Sequence, residues 1–468
     1  MSFVFYDTET TGTNTAFDQI LQFGAIKTDY ELNELDRFEI RCRLLPYVVP
    51  SPGAMRVTGV TVEQLTDPSL PSHYEMVRAI QAKLSEWSPA IFIGHNSLRF
   101  DENLLRQAFY KTLHAPYLTN TNGNCRTDSL RMIQAVARFN PNVLAIPLDE
   151  RGKQVFKLDR LAPVNGFDHA AAHDAMGDVE ATIHMCQAIA ERAPEYWSNF
   201  VRFAQKAAVT EFATEEEVFS LTDFFYGKSY SWMVTTIGQN PEYGAELLVF
   251  NLGIDPDELL RLSDDELADR LAETPKPVRA MRTNASPVVL AYDDAPDALR
   301  EDAPTLDILQ ARAAQIRENS DFAGRLISAF LATRDEREPS VHVEEQIYDG
   351  FTDNADLAVM ERFHASEWGE RAGLLPLLAD ERLRSLGQRL IFVEAPQTMH
   401  DAARRDYEMA IARRLMEDDG TVPWLTLHKA IEEANDMIAV AEGAERALLT
   451  DLRDYLVQRV DNAAALLA

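Results

Sequence analysis

Residues 2–12 read SFVFYDTETTG, an apolar and aromatic run followed by a polar turn. The run predicts a short strand from Ser2 to Asp7. Because side chains two apart in an extended strand share a face, Asp7 and Glu9 are expected to project together as the chain leaves its sheet. Two carboxylates aimed at one point repel each other unless a cation lies between them, and Mg²⁺ and Mn²⁺ prefer carboxylate oxygens. Alone the pair is a weak signal, because solvated acids in a turn are commoner.

Strands and helices alternate outward from this first strand. Apolar runs predict further strands, and segments with helical periodicity predict helices between them. The strands are expected at 19–28, 38–45 and 90–93, and the helices at 73–87, 102–113 and 178–192. Alternation of this kind predicts an α/β domain, which we place at residues 1–194 because Pro194 marks a plausible edge.

The sequence changes character after Pro194. Short candidate strands at 231–236 and 246–251 lie among Gly and Pro turns, which indicates a mixed, partly β middle domain over residues 196–345. Over residues 349–468, apolar residues recur roughly every three to four positions, which predicts a helical domain. No low-complexity linker separates these parts, so we expect three domains that pack together as one body.

Size and composition exclude several classes of protein. The chain has 468 residues, of which 46% are hydrophobic, and it can bury several cores. No apolar run reaches the roughly 18 residues of a membrane span, and the first residues lack the basic and apolar segments of an export signal. The three cysteines, Cys42, Cys125 and Cys186, favour neither a disulfide framework nor a zinc site. These features predict a cytoplasmic globular protein.

The net charge of −30 argues, taken alone, against a nucleic-acid partner, because proteins that bind phosphates usually present basic surfaces. The charge is uneven, however. Residues 95–160 hold ten Lys and Arg against six Asp and Glu, which leaves the rest of the chain at −34. An acidic shell would repel phosphates everywhere except over a basic groove. Adaptation to a salty interior is the alternative explanation of the excess acid.

Two later segments add acids and a histidine to the first pair. Asp101 follows the strand at 90–93 and a polar run, and it would join a metal site, cap the helix that begins near Glu102, or do both. Residues 173–178 read HDAMGD, with His173 five positions before Asp178 near a helix start. A helix-borne carboxylate beside an imidazole that titrates near neutrality suits acid–base chemistry. A surface histidine with a capping acid is the alternative.

Together these segments resemble one known family. The order DTETTG at 7–12, NSLRFD at 96–101 and HDAMGD at 173–178 is similar to that of the DEDDh exonucleases of the DnaQ-like superfamily. Within it the exonuclease I family is the most similar, and IYDGF at 347–351 extends the likeness to the later domains. The resemblance implies an RNase H-like α/β exonuclease domain with a mixed sheet, an SH3-like β-barrel domain and an α-helical C-terminal domain around single-stranded DNA.

The resemblance also implies an activity, a 3′→5′ exodeoxyribonuclease that releases 5′-mononucleotides. Asp7, Glu9, Asp101 and Asp178 would hold two Mg²⁺ ions about 4 Å apart, with Mn²⁺ as a substitute, and His173 would be the general base. Asp7 would bind both ions, and Glu9 would also contact the 3′-hydroxyl. A role in DNA repair and recombination, a monomeric state without membrane association, and a single-stranded DNA-binding protein as partner are further implications.

Strand binding needs positive charge and aromatic faces along a groove. The candidates, named partly from the resemblance, are Arg106, Tyr117, Arg126, Lys157, Lys206, Arg279 and Arg282. Each is nearly as well explained as a solvated surface residue. Trp232 and Phe225 are expected inside the barrel. Lys157 and the segment TNTNGN at 119–124 depart from the family pattern, which has an arginine and aromatic residues there.

Two other functions fit part of the sequence. An exoribonuclease or a polymerase-proofreading exonuclease of the same superfamily would keep the chemistry, but these usually need only the first domain, and about 270 residues follow it here. A non-catalytic single-stranded DNA-binding protein would not need the four acids and His173. The single-strand exodeoxyribonuclease is therefore the favoured interpretation.

Overall fold

The computed structural model describes residues 2–168, 174–225, 227–334, 338–417 and 420–468. Its first sheet consists of β1 (Ser2–Thr10), β2 (Ile20–Thr28), β3 (Glu34–Arg41), β4 (Ala90–Gly94) and β5 (Cys125–Asp128). The strand order is β3-β2-β1-β4-β5. β1 pairs antiparallel with β2 and parallel with β4, so the predicted mixed sheet is confirmed.

Helices cover both faces of this sheet. The helices of this part of the chain are α1 (Pro52–Thr58), α2 (Val62–Thr66), α3 (His73–Trp87), α4 (Asp101–Lys111), α5 (Ser129–Phe139), α6 (Leu158–Val164), α7 (Ala175–Arg192) and α8 (Pro194–Arg202). The next helix, α9 (Lys206–Glu215), packs instead on the sheet of the middle region. A short 3-10 helix spans Leu118–Asn120. The predicted helix at 73–87 is confirmed as α3, whose start is fixed by a capping box between Ser72 and Glu75.

Alternation along β1 divides its side chains between two cores. Phe3 and Phe5 are buried with residues of α5, α7 and α8 on one face. Val4 and Tyr6 are buried with residues of α3 and α4 on the other. Because side chains two apart share a face, Asp7 continues the face of Phe3 and Phe5, which α7 covers.

The first core extends past the domain edge that Pro194 predicts. Pro194 is the first residue of α8, a position where its missing N–H group leaves no helical hydrogen bond unmade. Trp197 and Phe200 of α8 are buried in the first core, and so is Ala204. The packing of the exonuclease-like region therefore continues about ten residues beyond Pro194.

A second sheet lies in the middle region and is antiparallel throughout. Its strands are β6 (Phe219–Phe225), β7 (Lys228–Gln239), β8 (Glu246–Asn251), β9 (Val278–Arg282) and β10 (Val288–Ala291). They follow the order β10-β6-β7-β8-β9, so β9 and β10 form the two edges. This agrees with a partly β middle domain, whereas closure into an SH3-like barrel stays a prediction.

Helices cover one face of the second sheet, where Leu248 and Phe250 are buried with apolar residues of the helical segments. These helices are α10 (Pro256–Leu260), α11 (Asp264–Ala272), α12 (Asp297–Glu301), α13 (Leu306–Arg317) and α14 (Ser320–Ala332). Trp232 is partly buried, in agreement with its predicted place. The prediction for Phe225 is wrong: it ends β6 and its side chain is 41% exposed, because the strand runs out beyond the core there.

The C-terminal region is helical, as the periodicity predicts. It contains α15 (Asn354–Ala365), α16 (Trp368–Arg371), α17 (Glu381–Glu394), α18 (Asp401–Leu415), α19 (Leu427–Val440) and α20 (Gly443–Leu467), with short 3-10 helices at Val343–Tyr348, Leu375–Leu377 and Pro396–Thr398. Leu427, Leu452 and Leu456 are buried against Leu21 and Met55 of the first domain. None of the described helices is long and apolar enough to cross a membrane.

Candidate metal centre and nucleic-acid interface

The end of β1 presents two acids beside β2. In the antiparallel register Asp7 lies opposite Gly24, and Glu9 lies opposite Gln22. Glu9 is only 8% exposed, so its carboxylate is largely removed from water. The same end of the sheet receives α7, whose first turn carries Asp178.

The first turn of α7 lies directly against β2 at Gly24. A Cβ atom at this position would lie 2.9 Å from two backbone atoms of that turn, so only glycine permits so close an approach. The approach brings Asp178 to the acids of β1. One carboxylate oxygen from each of Asp7, Glu9 and Asp178 lies within 4.8 Å of the other two.

Asp101 joins this edge of the sheet through a hydrogen bond. It is the first residue of α4, and none of the described side chains caps that helix, so the capping alternative for Asp101 is wrong. Instead its carboxylate is 4% exposed and accepts a 2.5 Å hydrogen bond from Thr8 Oγ1. Thr8 stands between Asp7 and Glu9, so the fourth predicted ligand is tied to the same strand end.

Burial raises the pKa values of Asp7, Glu9 and Asp101, and neighbouring carboxylates add to the effect. Burial raises the pKa of Asp7 well above its ordinary value, and the charges of Asp101, Asp178 and Glu9 raise it further. Burial, followed by the charges of Asp178 and Asp101, raises the pKa of Glu9 to about 8. Burial raises the pKa of Asp101 to about 7, against the lowering effect of the Thr8 hydrogen bond. Carboxylates so arranged take up either protons or cations, and oxygen ligands of this kind fit hard divalent ions.

Two hydrogen bonds to Asp174, here called the polar brace, hold the start of α7, and they were not predicted from the sequence. Gln22 Nε2 and Arg41 Nη2 both donate to Asp174 Oδ1, at 2.8 and 2.6 Å. Asp174 directly precedes α7, so the brace holds the helix that carries Asp178. Asp174 was visible inside the HDAMGD motif. Gln22 and Arg41 give no local signal, since they meet Asp174 only because the β2–β3 register pairs them.

His173, the predicted general base, lies outside the described residues. The described chain resumes at Asp174 after residue 168. The assignment of His173 therefore rests on the resemblance of residues 173–178 to the family motif and stays a prediction.

Two predicted groove residues, Arg106 and Arg126, converge on the buried carboxylate of Glu102. Arg106 Nε donates to Glu102 Oε1 at 2.8 Å, and Arg126 pairs with the same oxygen. The side chains of Arg106 and Arg126 are 10% and 11% exposed, against 1% for Glu102. Both guanidinium groups thus serve a buried ion-pair network, and a DNA phosphate would compete there with Glu102. Contact of either arginine with DNA stays a prediction.

The segment that departs from the family pattern takes part in this network. Thr119 Oγ1 donates to Glu102 Oε1 at 2.7 Å, and Asn120 Oδ1 accepts from Arg106 Nη2 at 3.1 Å. The polar residues at 119–124 therefore satisfy buried charges. Tyr117 lies beneath the guanidinium of Arg106, 5.1 Å from ring centroid to Cζ, and is partly buried.

The remaining groove candidates differ in exposure. Lys157, Lys206 and Arg282 are exposed, whereas Arg279 is partly buried. The guanidinium of Arg279 lies 3.4 Å from the centroid of the Trp232 ring, so this arginine covers the aromatic surface of the second sheet. The three exposed cations can meet a phosphate without breaking a buried ion pair.

Two protein families match separate parts of this chain. The family described as Exonuclease matches residues 4–186, a range that includes Asp7, Glu9, Asp101 and Asp178. The family described as Exonuclease I C-terminal domain matches residues 341–459. The two matches flank the middle region with the second sheet.

Relatives and solved structures cover most of the chain. Exodeoxyribonuclease I of Escherichia coli (strain K12) is 29% identical over 408 residues, which are 82% of this chain and 84% of that protein. The crystal structure of E. coli exonuclease I in complex with a dA16 oligonucleotide has a TM-score of 0.83 at 24% identity and covers 98% of this chain and 100% of that chain. Exonuclease I from Methylocaldum szegediense has a TM-score of 0.84 at 25% identity and covers 98% and 99%.

Proposed function

We propose that this chain is a nuclease of the DnaQ-like superfamily with an exonuclease I C-terminal domain, and that it degrades single-stranded DNA from the 3′ end to 5′-mononucleotides. The observation that carries the proposal is the group of three acids, Asp7, Glu9 and Asp178, within 4.8 Å of one another inside the region of the Exonuclease match. The similarity to exodeoxyribonuclease I over 82% of the chain supports DNA as the substrate.

Asp7, Glu9, Asp101 and Asp178 would hold two Mg²⁺ ions, and Mn²⁺ would substitute. Burial and the neighbouring carboxylates raise the pKa values of Asp7 and Glu9, which supports a site that gains from added positive charge. When bound, such ions polarise the scissile phosphodiester and lower the pKa of water. Glu9, at the end of β1, would also accept a hydrogen bond from the terminal 3′-hydroxyl, which accounts for end-specific cutting.

His173 would take the proton from the attacking water. Replacing it by Ala is expected to lower kcat by roughly 10²–10⁴-fold, the usual span for a general base, while strand binding is kept. The measurement is single-turnover release of mononucleotide from a labelled strand. His169 is a matched control of the same type in the same segment, and His169→Ala should leave kcat near the wild-type value. A decrease in kcat of less than tenfold for His173→Ala would show that another group is the general base.

The exposed cations would hold the strand as it moves toward the acids. Lys157 stands on the first domain, whereas Lys206 begins α9, which packs on the second sheet, and Arg279 and Arg282 stand on β9 of that sheet. The DNA strand would pass between Lys157 and the other three. Arg106, Arg126 and Tyr117 would line the same path where they are exposed. We further propose a cytoplasmic monomer that acts in DNA repair and recombination, with a single-stranded DNA-binding protein as partner.

One assay tests the proposal against its rivals. Strands of single-stranded DNA, duplex DNA and RNA, each labelled at the 3′ end, are incubated with the protein in Mg²⁺ or in EDTA. Release of 5′-mononucleotides from single-stranded DNA in Mg²⁺ alone is expected. Preferred release from RNA would instead favour an exoribonuclease, and binding of DNA without release would favour a non-catalytic protein.

A further inference from the structure

The start of α4 carries Asp101, and contacts with other elements fix its position. Phe100, which precedes the helix, makes no side-chain hydrogen bond to its first amides. The amide of Glu102 donates instead to the carbonyl oxygen of Ser97 at 2.9 Å. A helix end without a side-chain cap is held mainly by its tertiary contacts. The place of Asp101 beside β1 therefore depends on what α4 touches.

Two hydroxyl groups of β1 bind the first two residues of α4. Thr8 Oγ1 donates to Asp101 Oδ1 at 2.5 Å, and Tyr6 OH donates to Glu102 Oε2 at 3.1 Å. Because side chains two apart in a strand share a face, Tyr6 and Thr8 both face α4, whereas Asp7 between them faces α7. The same strand thus carries two of the acids and holds the helix that carries a third.

The second oxygen of Glu102 ties α4 to two further elements. Arg106 Nε and Thr119 Oγ1 donate to Oε1 at 2.8 and 2.7 Å, and Arg126 of β5 pairs with the same oxygen. Thr119 belongs to the 3-10 helix at Leu118–Asn120. A buried carboxylate between two guanidinium groups cannot turn away without leaving charge uncompensated, so its geometry is fixed.

We propose that Glu102 is a positioning residue of the candidate metal site, which fixes the first turn of α4 on β1 through Tyr6 and thereby holds Asp101 beside Asp7 and Glu9. The proposal rests on the proposed function, because it assumes that Asp101 binds a metal ion. Mg²⁺ demands near-ideal geometry at about 2.0–2.1 Å from its ligands, so a small displacement of one carboxylate lowers the affinity.

Glu102 supports the site without being a ligand itself. Its two oxygens are occupied by four donors, which leaves no oxygen directed at a cation. The loss of Glu102 is therefore expected to act on Mg²⁺ only through the position of Asp101.

The test measures Mg²⁺ binding in the absence of DNA, from the unfolding temperature of the full chain at increasing Mg²⁺ concentration. Glu102→Gln keeps the size of the side chain and removes its charge. The Mg²⁺ concentration that gives half of the temperature rise is expected to increase roughly tenfold, the lower end of the span for residues that support a metal ligand. A merely structural role would lower the unfolding temperature in EDTA and leave this concentration unchanged.

Tyr6→Phe isolates the link to β1. It removes only the hydroxyl, keeps the ring in the core and leaves both arginines paired with Glu102. The half-maximal Mg²⁺ concentration should rise in this variant as well, by a smaller factor. Tyr6→Phe also keeps the proposal testable if Glu102→Gln does not fold.

Tyr110→Phe is the matched control. Tyr110 is a buried tyrosine of α4 whose hydroxyl donates to the Val343 carbonyl oxygen at 3.1 Å, so the variant loses a hydrogen bond of equal length that does not reach β1. Its half-maximal Mg²⁺ concentration should equal that of the wild type.

An unchanged half-maximal Mg²⁺ concentration in Tyr6→Phe or in folded Glu102→Gln would overturn the positioning role of Glu102. An increase in Tyr110→Phe equal to that in Tyr6→Phe would overturn it too, because any loosening of α4 would then suffice. A wild-type protein that Mg²⁺ does not stabilise would instead contradict the metal site of the proposed function.

Discussion

Asp7, Glu9 and Asp178 lie close enough for their charges to oppose one another, and that opposition favours a cation between them. Three carboxylates within 4.8 Å of one another, of which Glu9 is buried and the other two are half-buried, are a cost to the folded chain unless protons or metal ions offset it. The raised pKa values of Asp7 and Glu9 record this cost. Bound protons or cations therefore stabilise this strand end, which links folding of the site to its chemistry.

Replacing Asp178 by Ala should abolish nuclease activity without unfolding the protein, because one ligand is lost from a site that α7 still covers. The decrease in activity should exceed the roughly 10–100-fold decrease that is typical when a residue hydrogen-bonded to a metal ligand is replaced. Thr8→Val provides that comparison, since Thr8 hydrogen-bonds Asp101. Mononucleotide release and far-ultraviolet circular dichroism are the measurements. An active Asp178→Ala protein would contradict the assignment of Asp178 to the metal site.

The stabilisation that Mg²⁺ provides should grow with pH. The pKa of Glu9 is raised from 4.5 to about 8 in the folded chain, and that of Asp101 from 3.8 to about 7. As the pH rises across this window, the unfolded chain releases its protons first, so the metal-free protein loses stability. The Mg²⁺-induced rise in unfolding temperature should therefore be larger at about pH 8 than at about pH 5.5.

Thermal unfolding in EDTA and in Mg²⁺ measures this difference. Glu9→Gln removes one titrating group and is expected to flatten the pH dependence in EDTA. If the metal-free protein instead becomes more stable between about pH 5.5 and 8, the raised pKa values of these acids are incorrect.

At the level of elements, the contact between α7 and β2 positions the site. Gly24→Ala would place a Cβ atom 2.9 Å from the backbone of α7 and push the helix outward. Displacement of Asp178 by even part of an ångström is expected to lower kcat by up to roughly 10²-fold. Steady-state release from single-stranded DNA measures it, with circular dichroism as the check on folding.

Gly324→Ala is the matched control for that change. Gly324 lies inside α14, and a Cβ there would meet no atom within 4 Å. Alanine at this position should leave activity unchanged and stabilise the helix by roughly 0.5–1 kcal/mol. An unimpaired Gly24→Ala protein would show that α7 can shift without cost to the site.

The elements themselves could largely be predicted from local pattern. The helix at 73–87 matches α3, and the strand at 246–251 matches β8, because period and capping are properties of neighbouring residues. The acids of β1 followed from the alternation of a strand. The domain edge at Pro194 stays a prediction, because the proline begins α8 and the burial of Trp197 in the first core is decided by distant partners.

Contacts between distant residues could not be predicted. Arg106 and Arg126 were expected along a DNA groove, partly from the family resemblance, yet both pair with the buried carboxylate of Glu102. The spacing of four between Glu102 and Arg106 on one helix was a usable signal for half of that pair. The meeting of Asn14 with Pro423, 409 residues apart, leaves no trace in either local sequence.

At the scale of the whole molecule, the length of the DNA substrate should reveal whether the second sheet contacts DNA. Arg282→Ala removes an exposed cation of β9, and it should weaken binding of long strands while dinucleotide hydrolysis is kept, because a dinucleotide does not reach that far. The slope of log affinity against log salt should fall by about 1. Fluorescence anisotropy at several salt concentrations measures this.

Arg261→Ala is the control for Arg282→Ala, since Arg261 is an exposed arginine in the same region for which no strand contact is expected. If Arg282→Ala weakened the binding of long DNA strands and the hydrolysis of dinucleotides equally, the second sheet would not be part of the DNA-binding path.

The hydrogen bond between Asn14 and Pro423 also has a consequence for how the protein is made. A ribosome that adds roughly 5–20 residues per second needs about 20–80 s to travel from the first of these residues to the second. Throughout that time the emerging chain already holds Asp7, Glu9 and later Asp178, but Arg414 and Trp424, which line a cavity of about 590 Å³ together with Glu9, are still to come. A nascent chain thus carries the acids of β1 without the C-terminal residues beside them, and the walls of this cavity are complete only when translation is nearly finished.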